Sequence, residues 1–476
     1  MSVIIRTENL SAPAGRHHEW LTGHVLSTIS IFEKNGVAQH YFSPVITFNA
    51  KAEQNLIKQQ TFRDKNYYAY YTSYPPFCFI FPYLIFKATG FKVSLIGIRI
   101  ISLLIHLGCG LLIFFIINLM FKKNISSDIF LPAIIGFTSY TFAAGNLWFH
   151  ANVYFADMLV HVFILLSIYL LIKIIEEPEK NVGKRALLLI VITFFGVYTE
   201  YLALFVAFFT GAFFFILFFR KKVFLKYILV LAIASVSALG LTVFQYTQIA
   251  GFEELKQKTT EKYAQRSGHN KEQAEAGFSF GTSVSTNRFF SHYETNYKDL
   301  LDYVWLTFYI VAFLLLAFLF HQRIKIEPSH LIAFGTIFLS ICVHHLVFFN
   351  FTVVHDFSTL KSSILFTLFI GYTIGLLFQY FSSQALLLNT TFILITGWFV
   401  HKSLNSYYAT NQQDKGSHYQ KIIGQTVKQY STEEEVIFTN IFTTPVIWWY
   451  GQRGILEINS VEGCQSFLKF SNSPKG

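Results

Sequence analysis

The chain of 476 residues is 53% apolar, 18% aromatic and only 13% charged, which is too little polar surface for a water-soluble domain of that size. Its net charge of +10 does not point to nucleic acid, because no basic and aromatic stripe lies on a soluble module able to hold one. Cys78, Cys109, Cys342 and Cys464 lack metal-ligand spacing, which argues against both a zinc centre and a disulfide framework.

In chain order, Met1 to Ile5 is too short an apolar stretch for a cleavable signal. A polar segment placed outside a membrane then calls for a preceding helix or another route across. Arg16, His17, His18, Glu19, Trp20 and His24 crowd together. Trp20 to Glu33 reads as an amphipathic helix, with Leu21, Val25, Leu26, Ile29 and Phe32 on the apolar side, suited to lie on a membrane surface. Tyr67 to Lys87 is dense in aromatics, and Pro75 and Pro76 stop a helix there, so a re-entrant or juxtamembrane helix is expected.

Apolar runs able to cross a bilayer follow: Val93 to Phe121, Ile129 to Trp148, Val153 to Ile175, Ala186 to Phe219, Phe224 to Tyr246, Val304 to Phe320, Leu331 to Phe351, Ser362 to Phe381 and Ala385 to Val400. Ala186 to Phe219 is too long for one crossing and carries Tyr198, Thr199 and Glu200 at its middle, so it reads as two short helices. About ten transmembrane helices result. His344 and His345 inside one of them read as buried, hydrogen-bonded imidazoles.

Positive charge is retained on the cytoplasmic side. It gathers in connections holding Lys122 and Lys123; Lys173, Lys180, Lys184 and Arg185; Arg220, Lys221, Lys222 and Lys226; and Arg323 and Lys325. Phe149 to Asn152 and Thr199 to Tyr201 carry none and face the other way. The predicted architecture is an all-α polytopic membrane protein: a first outer segment (1–92), a helical bundle (93–401) with an outer loop (247–303), and a small outward α/β domain (402–476). In that domain Gly416 to Tyr430 reads as a helix, and Glu435 to Asn440 and Ile455 to Asn459 as strands.

Several features together resemble the polyprenyl-phosphate-dependent membrane glycosyltransferases of the GT-C superfamily. They are an acidic residue just after a basic one in the first outer segment, the Pro-Pro segment, Gly97 to Leu107 with Arg99 heading a long helix, and NLWFHANVYFADMLVHVFILLSIYLL. The aminoarabinose transferase and protein O-mannosyltransferase (family 39 type) branches are nearest in layout. The likeness runs from Arg16 to His401 and rests on order and spacing.

What the resemblance implies is an inverting, single-displacement transfer of a sugar from a polyprenyl-phosphate donor to a hydroxyl or amine of a glycolipid, polysaccharide or protein. The site would face the periplasmic or extracellular side of the bacterial cytoplasmic membrane. Glu19 in RHHEW matches the general base, and Asp157 in YFADM matches the second acidic position; with Glu19 it would hold a divalent cation, Mg or Mn. The leaving phosphate also wants fixed cations, for which Lys361 in HDFSTLKSS, Arg16 and His355 are the candidates, while Glu200 would orient a substrate. Tyr74 stands where the family often has a charged residue. The loop Thr247 to Tyr303 is expected to cover the donor cavity. A transporter or a non-catalytic scaffold would share the helical bundle, but transporters tend to show an internal repeat, and none is visible.

Overall fold

Backbone groups in apolar surroundings must bond within their own segment, so the apolar runs become helices. The computed structural model describes residues 2–50, 62–121, 130–269, 326–381, 385–413 and 418–458, with scattered positions between 287 and 321 and at 460. The first outer segment contains α1 (Ser2–Thr7), α2 (Glu19–Asn35), the antiparallel pair β1 (Phe62–Arg63) and β2 (Ala69–Tyr70), and α3 (Phe77–Thr89). The bundle follows as α4 (Leu95–Phe121), α5 (Phe130–Phe142), α6 (Ala144–Asn152), α7 (Ala156–Glu176), α8 (Val182–Val197), α9 (Leu202–Phe218) and α10 (Phe224–Ala250). It continues with α11 (Phe252–Ser267), α12 (Pro328–Val347), α13 (Phe349–Val354), α14 (Leu360–Tyr380) and α15 (Ala385–Gln413). The helices α4, α7, α10, α12 and α14 are long and apolar enough to cross a membrane. The run Val304 to Phe320 is described only at scattered positions, and Lys122, Lys123, Arg323, Lys325 and Cys464 lie outside the described residues.

Ala186 to Phe219 is indeed two helices, α8 and α9, turning at Tyr198 to Tyr201. Ile129 to Trp148 is not one continuous helix. The chain is extended at Ala143 (φ −56°, ψ 132°), which separates α5 from α6, and Asn146 donates to the freed Tyr140 carbonyl at 2.9 Å. A buried break of this kind is tolerated when side chains satisfy the released backbone groups. Phe149 to Asn152, expected as a connection, is therefore the last part of α6, and the turn falls at Val153 to Phe155.

The outer loop is also more ordered than expected at its start. After α10, Gly251 takes φ +86° and the polar helix α11 begins; residues 270–286 lie outside the described part. Close approach within the bundle is set by small residues: a Cβ on Gly371 would lie 2.2 Å from Ile117 Cδ1, and one on Gly375 would lie 2.2 Å from Phe121 Cε2. Both clashes are with α4, which α14 can therefore contact closely.

The tail folds as α16 (Tyr419–Tyr430), β3 (Val436–Thr439), α17 (Pro445–Gly451) and β4 (Gly454–Glu457). The strands pair in parallel, from Val436 with Gly454 to Thr439 with Glu457. A parallel pair needs a crossover, and α17, which the sequence reading missed, supplies it, with Thr444 as its N-cap. This domain corrects the placement of α2. The helix does not lie on a membrane surface, because its polar face is covered by protein. Ser27 donates to Pro445 O (3.4 Å), Thr28 to Val45 O (2.9 Å), and Gly23 sits against the backbone of Pro445 and Val446. Thr22, Ser27 and Thr28 on that face each bond a neighbouring carbonyl, so these hydroxyls are buried at little cost.

Candidate active site at one end of the bundle

Six helix ends meet at one end of the bundle: the starts of α2, α7 and α14, the two that form the α8–α9 turn, and the end of α12. The basic residues Lys173, Lys180, Lys184 and Arg185 lie at the other ends of α7 and α8.

Glu19 opens α2, where an acidic side chain is favoured by the helix dipole. Its Oε2 accepts from the amides of Gly15 and Arg16, both at 2.9 Å, and its Oε1 accepts from Arg99 Nη2 at 2.5 Å. Arg99 Nη1 in turn donates to the carbonyls of Asn9 (2.8 Å), Leu10 (3.0 Å) and Ala12 (2.6 Å). Arg99 thus ties the segment preceding α2 to α4, and the Glu19 carboxylate beneath it is 0% exposed.

A second set surrounds Lys361, the second residue of α14. A cation at a helix N-terminus opposes the dipole, and a buried one requires partners. Here they come from three other elements: Asp157 of α7 at 2.8 Å, Glu200 of the α8–α9 turn at 3.4 Å, and His344 Nε2 of α12 at 3.2 Å. His344 also meets Glu200 at 3.1 Å, the Leu202 amide donates to Glu200 at 2.7 Å, and Tyr74 Oη donates to Asp157 at 3.3 Å. Lys361 is 0% exposed. The guanidinium of Arg266, at the end of α11, lies over the rings of Tyr74 (5.1 Å) and Phe351 (4.8 Å) and donates to Ser73 O (3.2 Å).

The third set lies nearer the surface. His17 and His18 reach the two oxygens of Asp356, in the turn before α14, at 2.7 and 2.8 Å. His355 lies beside them, its ring 6.4 Å from that of His18, and Arg16 precedes them in the chain.

The structure therefore brings Asp157, Glu200 and Lys361 into contact, leaves Arg16 and His355 partly exposed, and gives Glu19 a partner of its own. Asp157 and Glu19 do not fit a shared divalent cation in this arrangement, because each carboxylate is already neutralised by a fixed cation and hydrogen-bonded. Sequence reasoning did not assign roles to Tyr74, Arg266 or Asp356. Only Asp356 carried a usable signal, as an acid beside His355 just before an apolar helix.

No family model and no curated protein matches the chain. Solved structures do. ArnT from Cupriavidus metallidurans bound to undecaprenyl phosphate superposes with a TM-score of 0.59 at 10% identity, covering 98% of this chain and 86% of that one. The oligosaccharyltransferase AglB from Archaeoglobus fulgidus, in complex with an inhibitory peptide and a dolichol-phosphate, gives 0.54 at 8% identity, over 96% of this chain and 64% of that one. The Archaeoglobus fulgidus oligosaccharyltransferase has also been solved with Zn and sulfate, and that structure gives 0.54 at 10% identity over 96% and 61%. The chain thus shares the helical fold of ArnT and of the oligosaccharyltransferase AglB.

Proposed function

We propose that the chain moves a sugar from a polyprenyl-phosphate donor to an acceptor hydroxyl or amine at the outer face of the bacterial cytoplasmic membrane. The observation that carries this reading is the gathering of carboxylates and cations from several elements at one end of an apolar bundle. The shared fold with proteins solved with undecaprenyl phosphate or dolichol-phosphate supports the donor class. A glycolipid, a polysaccharide or a protein side chain would serve as acceptor.

In this reading the acceptor atom attacks the anomeric carbon while the bond from that carbon to the phosphate oxygen breaks. The electron pair leaves on the phosphate, the acceptor's proton goes to Glu19, and one displacement inverts the anomeric centre. Because Glu19 is sealed, residues 15 and 16 must lift, exchanging their amides for the acceptor while Arg99 stays bound to the carboxylate. Arg16 and His355 meet the phosphate. Lys361 takes part of its charge by releasing Glu200, the more distant of its carboxylates. Asp157 holds the ammonium in place, and Glu200, then bound only to His344 and the Leu202 amide, orients the donor.

The test is release of polyprenyl phosphate from a panel of radiolabelled polyprenyl-phosphate sugars by the purified protein in detergent, with and without EDTA. Release by the wild type is expected, and Glu19→Gln should reduce it by about 100-fold or more, the usual effect of losing a general base, with an unchanged elution profile. Undiminished release by Glu19→Gln would remove the role given to that residue; no release from any donor would overturn the transferase reading.

A further inference from the structure

We infer that His17, His18 and Asp356 form a zinc-binding site at the same end of the bundle, separate from the carboxylates Glu19 and Asp157. Among the described residues this is the group of histidines and acids whose ligand atoms come within 4.8 Å of one another. Two neutral imidazoles and one carboxylate are a donor set suited to zinc rather than to magnesium, which prefers oxygen ligands.

The backbone is shaped for this convergence. His18 adopts a left-handed conformation at φ 56°, uncommon for a residue with a side chain. Consecutive histidines would otherwise point apart; here their rings lie 4.1 Å apart and both Nε2 atoms address Asp356. The edge of Phe357 at 5.0 Å from the His18 ring, and Phe149 at about 6 Å from both rings, restrict their movement.

Zinc bonds of about 2.0–2.2 Å in tetrahedral geometry set neighbouring ligand atoms about 3.3 Å apart. With one oxygen of Asp356 as ligand, the three ligand atoms lie within 4.8 Å of one another, so reaching these separations takes a shift of up to roughly 1.5 Å. Three protein ligands leave a fourth position open, and the side chain of His17 is 46% exposed.

The site has a built-in reporter. Trp20 Nε1 donates to His18 Nδ1 at 3.2 Å, so without metal the proton of the neutral His18 ring sits on Nε2, which lies 2.8 Å from Asp356. Zinc on Nε2 moves that proton to Nδ1, which can no longer accept from the indole, and Trp20 must turn away.

Zinc binding is read without any sugar donor, so its outcome is independent of the transferase reading. The full-length protein, stripped with EDTA in detergent and dialysed against zinc, is expected to retain about one zinc per chain by mass spectrometry. Excess magnesium should not displace it. Asp356→Asn and His18→Gln should lose the metal, and so should His17→Ala, a change at a half-exposed side chain that keeps the fold intact. Zinc titration should change the tryptophan fluorescence, and Trp20→Phe should abolish that change while zinc is still retained. Zinc retained by the folded Asp356→Asn and His17→Ala variants, or none retained by the wild type, would overturn the site and leave a hydrogen-bonded His–Asp–His staple in its place.

Discussion

At the scale of the residue, the Lys361 set is the most consequential grouping, because one ammonium holds two carboxylates within an apolar bundle. Removing one partner of a buried ion pair strands the other without compensation, typically at about 3–5 kcal/mol. Lys361→Met is thus expected to lower the melting temperature sharply, since both Asp157 and Glu200 lose their cation. Adding Asp157→Asn should restore part of the loss, because the neutral amide needs no counter-charge and still accepts from Tyr74. Thermal melts of the two single variants and the double variant make a mutant cycle. Additive losses would show that Lys361 and Asp157 are not energetically coupled. Asp157, Glu200 and Lys361 were legible in the sequence because ionisable groups at the ends of apolar helices are rare. Their pairing was not, because it joins residues about 40, 160 and 200 positions apart through contacts that only the packed bundle defines.

Among the elements, the first outer segment is held together by a directional chain of hydrogen bonds. Tyr70 Oη donates to Asp64 at 3.0 Å, so it accepts from His40 Nδ1 at 3.1 Å, and His40 Nε2 accepts from Asn35 at 3.3 Å. This fixes His40 as a neutral imidazole, and burial lowers its pKa to about 4, with Asp64 opposing. The unfolded chain binds a proton near pH 6.5. His40 therefore contributes stability that is present above pH 6.5 and lost as the pH falls toward 4, by up to about 3 kcal/mol. The melting temperature should fall over that window, and less steeply in His40→Leu; equal slopes would remove His40 from the account. His24, lowered by burial to about 3, keeps part of the slope in the variant. The sequence showed none of this network, since β1 and β2 are only two residues each and the network joins them to Asn35 and His40 through tertiary contact. It did show the α8–α9 turn and both tail strands, where hydrophobic pattern and polar punctuation agree. It misplaced α2 because amphipathicity alone cannot tell a lipid surface from a covering protein domain.

For the molecule as a whole, the functional reading depends on which side of the membrane the gathered helix ends face. Basic connections between α7 and α8 and between α9 and α10 lead to the expectation that their side is cytoplasmic. The tail domain packs on α2 through Ser27 and the Pro445–Val446 backbone, and on the first segment through Gln420 and Gly15. The tail must therefore lie on the same side as the site. Single cysteines can read this directly, provided that the native thiols are silent: Cys78 and Cys109 are buried, Cys342 is partly exposed, and Cys464 lies outside the described residues, so Cys342 and Cys464 are first replaced by serine. Glu433→Cys reports on the tail and Lys221→Cys on the α9–α10 connection; the native side chains there are 59% and 51% exposed. An impermeant maleimide added to intact spheroplasts should label position 433 at once and position 221 only after the membrane is opened. Labelling in the reverse order would turn the site toward the cytoplasm and remove the outward acceptor from the proposal. Labelling of both positions in intact spheroplasts would contradict the odd number of crossings required between Lys221 and Glu433.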